Sequence, residues 1–476
     1  VTSRPGARHA PEEASGRVGA RSLGEPSSGG APRPAHGGSD REQLVVVTFS
    51  HAVQHFYPAA LAVAYPFVVT GLHVSYATLG IVLGVAGVLG GLLQAAAVLV
   101  ERVSARLLLG LQNLGLAAAT ALGAAAPGFA LFGVARVAGA LASWPQHPVG
   151  SALLTRRFPH RRAYALSWHV AGGSLGTAVV PLAASGLIAG LGWQWGLGLF
   201  AIPLALGGLL VVWRLHDAPP PVSPGAGAQG AAGPEPPAAS RGGEGEGLGT
   251  RPARSGGTPL GAALRRREVL AALGAGTIAA AGRGLGALTT YVPAYLRSGL
   301  HLSTIVVGAL FTVVVVGSIA GPVVAGRFAD RLGRRRVLVA VYLAGACAIA
   351  GFALVGRSAV LLALVGLALG AFAYAESPLL QAVFSEAASG SPERSAFGVY
   401  FAVAYGVGAL WLTVVGELIS HVGFRAAFLV MAASFVVAAA IVLAGGSGVR
   451  AGGASRGRRR GSPAAPPAPS GVGGAT

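Results

Sequence analysis

Lysine is absent from this chain. All 35 basic residues are arginine, and only 16 acidic residues oppose them. Charged residues make up 11% of the 476 positions, where a soluble domain carries roughly 25%. So little charge cannot cover the surface of a water-soluble fold of this length. The single cysteine, Cys347, excludes an intrachain disulfide. No Gly-x-x-x-x-Gly-Lys-Ser/Thr loop is present, so no nucleotide-driven pump of that type is expected. The first 40 residues lack an apolar core, so no secretory signal peptide is expected there.

What the chain has instead is apolar bulk. Hydrophobic residues are 53% of it, and the mean hydropathy is +0.64. Glycine is frequent (75 residues) without a triplet period, as suits helices packed closely in lipid. A bilayer core takes about 20 helical residues. Apolar runs of that length fall at 44–69, 75–100, 107–126, 128–154, 164–190 and 196–214. They recur at 269–296, 303–326, 337–356, 358–384, 395–420 and 424–446. The expected fold is an all-α membrane protein of twelve spans in two six-helix bundles, 44–216 and 265–446. The tails 1–43 and 447–476 and the Pro/Gly-rich linker 217–264 are too poor in core-forming residues to fold and are expected to be disordered.

Arginine placement sets the orientation. Thirty arginines fall on the side of both termini and three on the other, while Arg136 and Arg283 lie inside runs. This bias predicts cytoplasmic termini and linker in the plasma membrane. It also accounts for the net charge of +19 through attraction to anionic lipids rather than through nucleic-acid binding.

The halves repeat. GLHVSYATLG (71–80) pairs with GLHLSTIVVG (299–308), and AVLVERVSAR (97–106) with GRFADRLGRR (326–335). A 6+6 repeat predicts a site at the midplane between the halves. The second loop carries Gly326, Asp330, Arg331, Gly333, Arg334 and Arg335. Asp330 suits the positive end of a neighbouring helix, and the glycines suit close contact and a tight turn. This pattern resembles the Gly-x-x-x-Asp-Arg-x-Gly-Arg-Arg loop of the major facilitator superfamily. In the first half, Ala97, Glu101, Ser104 and Ala105 replace Gly, Asp, Gly and Arg, while Arg102 is kept. The resemblance implies that both loops form a cytoplasmic gate.

Two further stretches, SHAVQHFYPAALAVAYPF (50–67) and PQHPVGSALLTRRFPHRRAYALSWHVAGGSLG (145–176), are similar to the fosmidomycin-resistance-like facilitators. His51, Tyr57 and Pro58 match the pattern of the first span, and His55 stands where an Asp is expected. This resemblance implies proton-driven drug efflux by an antiporter.

Ionisable residues inside lipid are costly, and they mark cavities or partners. Those in the runs include His51, His55, Arg136, His147, His169, Arg283 and Glu376. At about 100° per residue, His51, Gln54, His55, Pro58 and Tyr65 form one stripe, opposite an apolar face expected to meet lipid. His51, His55, Arg136, His147, Arg283 and Glu376 are therefore the candidate substrate-binding or coupling residues. Arg283 would attract an anionic substrate or pair with Glu376, and Glu376 or His55 would carry a proton. His51 and His55 have the i, i+4 spacing of zinc ligands. HAVQH, however, lacks the Glu of H-E-x-x-H and no third ligand stands near it in sequence, so neither a metal site nor a cofactor is expected.

The expected function is secondary transport of a small organic molecule by a monomer, proton-coupled, with efflux favoured over metabolite uptake. A transporter-like receptor and an intramembrane enzyme are the alternatives, and neither has a supporting motif.

Overall fold

A computed structural model describes residues 39–95, 103–158, 161–217, 260–389 and 393–445. The tails, the linker core, Glu101 and Arg102 lie outside the described residues. The first half holds α1 (Asp40–Gly71), α2 (Tyr76–Ala95), α3 (Ala105–Ala124), α4 (Phe129–Ala142), α5 (Gln146–Arg157), α6 (Arg162–Gly198) and α7 (Ala201–Arg214). The second holds α8 (Leu260–Ala263), α9 (Arg267–Ala279), α10 (Thr289–Ala294), α11 (Thr304–Leu332) and α12 (Arg334–Leu354). It continues with α13 (Ala359–Ala387), α14 (Glu393–Phe401), α15 (Leu410–Val422) and α16 (Phe424–Gly445). Serine hydroxyls open several of the long helices by accepting an orphan N–H: Ser39 for α1, Ser104 for α3, Ser303 for α11 and Ser358 for α13.

Among the described residues, nine helical stretches are long and apolar enough to cross a membrane. The other expected runs coincide with interrupted or fused helices. The 128–154 run is split at Ser143–Pro145 into α4 and α5. The 164–190 and 196–214 runs form one stretch with a sharp break at Gly192 (φ 81°). The 269–296 run is α9 followed by a break at Arg283, a π-helical turn (Gly284–Leu288) and α10.

The exterior confirms the solvent. Trp195, Trp213 and Val360 are each about 70% exposed, amid many other exposed leucines and valines. Such a surface suits lipid and would aggregate in water. The repeat seen in sequence is also present in the backbone. His73 and His301 share the left-handed conformation (φ 50° and 55°), as do Gly192 and Gly423 (φ 81° and 87°). Non-glycine residues rarely adopt positive φ, so its recurrence at matching turns reports a common local architecture.

Within the first half, α1 packs on α6 and α7, and α3 on α7 and α4. Within the second, α11 packs on α13, and α12 on α13 and α16. The halves meet through α2 against α15 and α6 against α11. The lipid face expected for α1 is not there: Val53 and Val63 are buried, and Val53 fills the space beside Gly207. α1 is an interior helix, because α6 and α7 cover its apolar side.

Candidate functional site

Three hydrogen bonds join the halves among the described residues, and all lie toward one end of the molecule. Tyr76 and Ser298 hydroxyls meet at 2.9 Å, the Ala77 N–H donates to Ser420 Oγ at 2.9 Å, and Thr413 Oγ1 donates to the Gly80 carbonyl at 3.0 Å. Arg297 lies over the Phe67 ring at 5.3 Å in the same region. At the opposite end, where α1 begins and α16 finishes, ion pairs stay within a half: Arg157–Asp40 at 2.9 Å, Arg214–Glu42 at 2.7 Å and Arg334–Glu386 at 2.7 Å. Between these ends sits a cavity of about 300 Å³. Gln54, Tyr57 and Arg136 line it from one half, and Arg283, Tyr405 and Leu412 from the other. Gln94, in the last turn of α2, and Ser143 carry its wall toward the end with the ion pairs.

Arg136 is a half-buried cation on the wall of this cavity. Its Nη1 donates to the Tyr57 hydroxyl at 2.6 Å, and its guanidinium lies 5.2 Å from the Tyr57 ring centre. Its Nε has no partner. No carboxylate pairs with it among the described residues. Gly139, beside it on α4, leaves the space that the Tyr57 hydroxyl occupies.

Arg283 is bound differently. It is 2% exposed and ion-paired with the fully buried Glu376. Its Nη1 donates to the Ala404 carbonyl at 2.8 Å and its Nη2 to the Gly276 carbonyl at 2.7 Å. The Tyr342 hydroxyl donates to the second Glu376 oxygen at 3.1 Å, and the Tyr405 ring lies 4.6 Å from the guanidinium. Ala404 is in the π-helical turn Ala402–Gly406, and Arg283 sits at the break after α9. Broken helices free carbonyls at membrane depth, and this arginine satisfies them.

The histidines occupy another place, where α1 faces α5 and α6. The His51 ring centre lies 4.7 Å from His55, 5.0 Å from His147 and 4.1 Å from His169. The expected shared cavity of His55, Arg283 and Glu376 is thus divided: Arg283 reaches the cavity wall, Glu376 lies behind it, and His55 turns toward α6. No third ligand stands near the HAVQH pair in sequence, but two further imidazoles stand near His51 in space. His147 and His169 are about 100 residues away in the chain, and the folding of α5 and α6 against α1 brings them in.

His169, Gln112, Asn113 and Gln146 stand outside the candidate set read from sequence. The three amides and Ser50 form a buried polar knot between α1, α3 and α5. Amides inside apolar runs were the available signal.

In the loop between α11 and α12, Gly333 takes φ 92° and ends α11, as a tight turn requires. Asp330 and Arg331 are exposed. Arg335 donates to the Val442 and Leu443 carbonyls at 2.6 and 2.5 Å. Gly326 departs from its expected part in close helix contact, because a side chain there would meet nothing within 4 Å.

The family model of the Major Facilitator Superfamily matches residues 46–354 and 274–469. The chain belongs to the Major Facilitator Superfamily. No curated protein matches it in sequence. Among solved structures it is similar to a bacterial homologue of the human lysosomal transporter Spinster, in an inward-facing, unoccupied conformation. The identity is 16%, the match covers 85% of this chain and 96% of that one, and the TM-score is 0.64. It is also similar to the nucleoside transporter NupG (15% identity, 85% and 98% covered, TM-score 0.62). A human organic anion transporter, TETRAN, matches at 16% identity, 85% and 100% covered, TM-score 0.56. At these identities the likeness carries the fold. Family and fold make this a multi-pass membrane transporter with a small-molecule substrate.

Proposed function

We propose that this facilitator carries a small organic molecule bearing a negative or strongly electron-rich group, by alternating access around the cavity between its halves. The observation that carries this reading is Arg136, a cation with no carboxylate partner among the described residues, on the wall of a cavity of about 300 Å³. The permanent charge of a guanidinium in a confined, low-dielectric space attracts anions strongly. Arg283 lies on the facing wall but is already neutralised by Glu376, so it shapes the site rather than anchoring the ligand. The organic-anion substrate named for one structural neighbour is of the same general kind.

Proton-driven efflux is the finer proposal. Its support is the resemblance at 50–67 and 145–176 and the titratable side chains His51, His55 and Glu376 within the spans. The test is uptake and efflux of a panel of organic anions and uncharged analogues in proteoliposomes, with and without a pH gradient. The expected result is gradient-dependent movement of anions that Arg136→Gln lowers at least tenfold while the protein stays folded. Equal rates for Arg136→Gln would remove the anchor, and no movement of any compound would favour a receptor.

A further inference from the structure

The histidine cluster is a built site apart from the cavity that Arg136 lines. We infer that His51, His147 and His169 bind a divalent transition-metal ion of the zinc class. Each offers one ring nitrogen, and these nitrogens lie within 4.8 Å of one another. A tetrahedral zinc site places nitrogen ligands about 3.3 Å apart, from a Zn–N distance of about 2.0–2.1 Å. Small rotations of the rings close that difference.

Three observations point to a ligand here. His169 is 98% buried, and among the described residues neither of its ring nitrogens meets a partner at full hydrogen-bond geometry. The backbone of Gln146 and of Val47 lies beside the ring. A buried imidazole left this way carries a desolvation cost, and a bound ion would recover part of it. Second, the tautomer of His51 is fixed for coordination. Its Nδ1 donates to the His169 carbonyl at 2.6 Å, so the ring lone pair sits on Nε2, facing His55. His55 stands beside it as a fourth imidazole. Its Nε2 lies 3.1 Å from His51 Nε2, and its Nδ1 is held 2.7 Å from the Thr177 hydroxyl. Third, glycines hollow the cradle. A Cβ at Gly173 would come within 2.7 Å of His51 Cε1 and 3.0 Å of His55 Nε2, and one at Gly150 within 3.0 Å of His169 Cε1.

The donor set selects the ion. Imidazoles without carboxylate or thiolate suit zinc, copper, nickel or cobalt, whereas magnesium and calcium require oxygen. His147, the exposed member, is where an ion enters. The ligands come from α1, α5 and α6, all in the first half. Binding therefore braces that half internally and does not fasten it to the other. The inference is independent of the substrate proposed above.

The probe is Zn2+ itself, titrated by calorimetry into the purified full-length chain in detergent, with Co2+ absorption to report the ligand geometry. The expected result is one ion per chain with a four-coordinate, nitrogen-rich Co2+ spectrum. His169→Gln and His147→Gln should each weaken binding on the order of 100-fold, as expected for a lost ligand. Gly173→Ala, which removes no ligand, should also weaken it. His421→Gln, at the exposed end of α15, should bind as the parent does. Should His169→Gln fail to fold, the exposed His147→Gln carries the test alone. Absence of stoichiometric binding, or parental affinity in His147→Gln, overturns the proposal.

Discussion

Two arginines in apolar runs carry the same formal charge and are used in opposite ways. Arg136 keeps an unpartnered Nε and faces a cavity, whereas Arg283 spends its donors on Glu376 and two backbone carbonyls. Removing one member of a buried pair leaves the other charge uncompensated, at a cost of about 3–5 kcal/mol. Glu376→Gln should therefore lower thermal stability by that order, in binding-free conditions and regardless of any pH gradient. The double variant Arg283→Met with Glu376→Leu should recover only part of the loss, because the Gly276 and Ala404 carbonyls would still lack their donor. A melting temperature for Glu376→Gln equal to the parent's would show that the pair contributes no stability, and would return Glu376 to the role of a proton carrier. The sequence exposed both arginines as candidates, but it could not separate them. What separates them is whether a carboxylate 93 residues further on lies within reach, a fact of tertiary structure.

Among the elements, the long helices were legible and their breaks were not. Hydropathy reports how apolar a stretch is and ignores backbone dihedrals. The runs 128–154 and 269–296 therefore read as unbroken helices, although Pro145 and the cluster Gly282, Gly284 and Gly286 mark the interruptions. The histidine cluster was half legible for a related reason. The i, i+4 pair on α1 is visible as a pattern, whereas His147 and His169 join it only through the packing of α5 and α6. Glycines set the close approach of several helix pairs, α11 and α13 among them. A Cβ on Gly370 of α13 would overlap the Val314 carbonyl oxygen of α11, and one on Gly321 would overlap the backbone of Ala371. Backbone cannot yield as a flexible side chain does, so overpacking of this kind costs about 1–3 kcal/mol. Gly370→Ala and Gly321→Ala should lower the melting temperature. Gly186→Ala in α6, where a side chain meets nothing within 4 Å, should hold or raise it through helix propensity. If all three variants melt together, the α11–α13 contact is not the constraint that the geometry describes.

At the scale of the whole molecule, the hydrogen bonds between the halves lie at one end only, among the described residues, and the cavity wall extends toward the other. Transport by rocking requires this fastening to open and the far end to close. The α2–α15 seam is where that motion can be stopped without touching the cavity. The Ala77 N–H donates to Ser420 Oγ at 2.9 Å, so the two chain segments run side by side, and neither residue lines the cavity. In a Cys347→Ser background, Ala77→Cys with Ser420→Cys should form a disulfide on mild oxidation of the resting protein. The cross-linked protein should still bind substrate from the side to which the cavity wall extends, because that side is untouched. It should no longer carry substrate across the bilayer, because the sealed end cannot part. Reduction should restore transport to the level of the uncross-linked double variant. Each single cysteine variant should transport alike before and after oxidation, which separates the bond from the substitutions. Full transport by the oxidised double variant would mean that substrate passes without the halves separating along α2 and α15, and the alternating-access proposal would then fail at its central step.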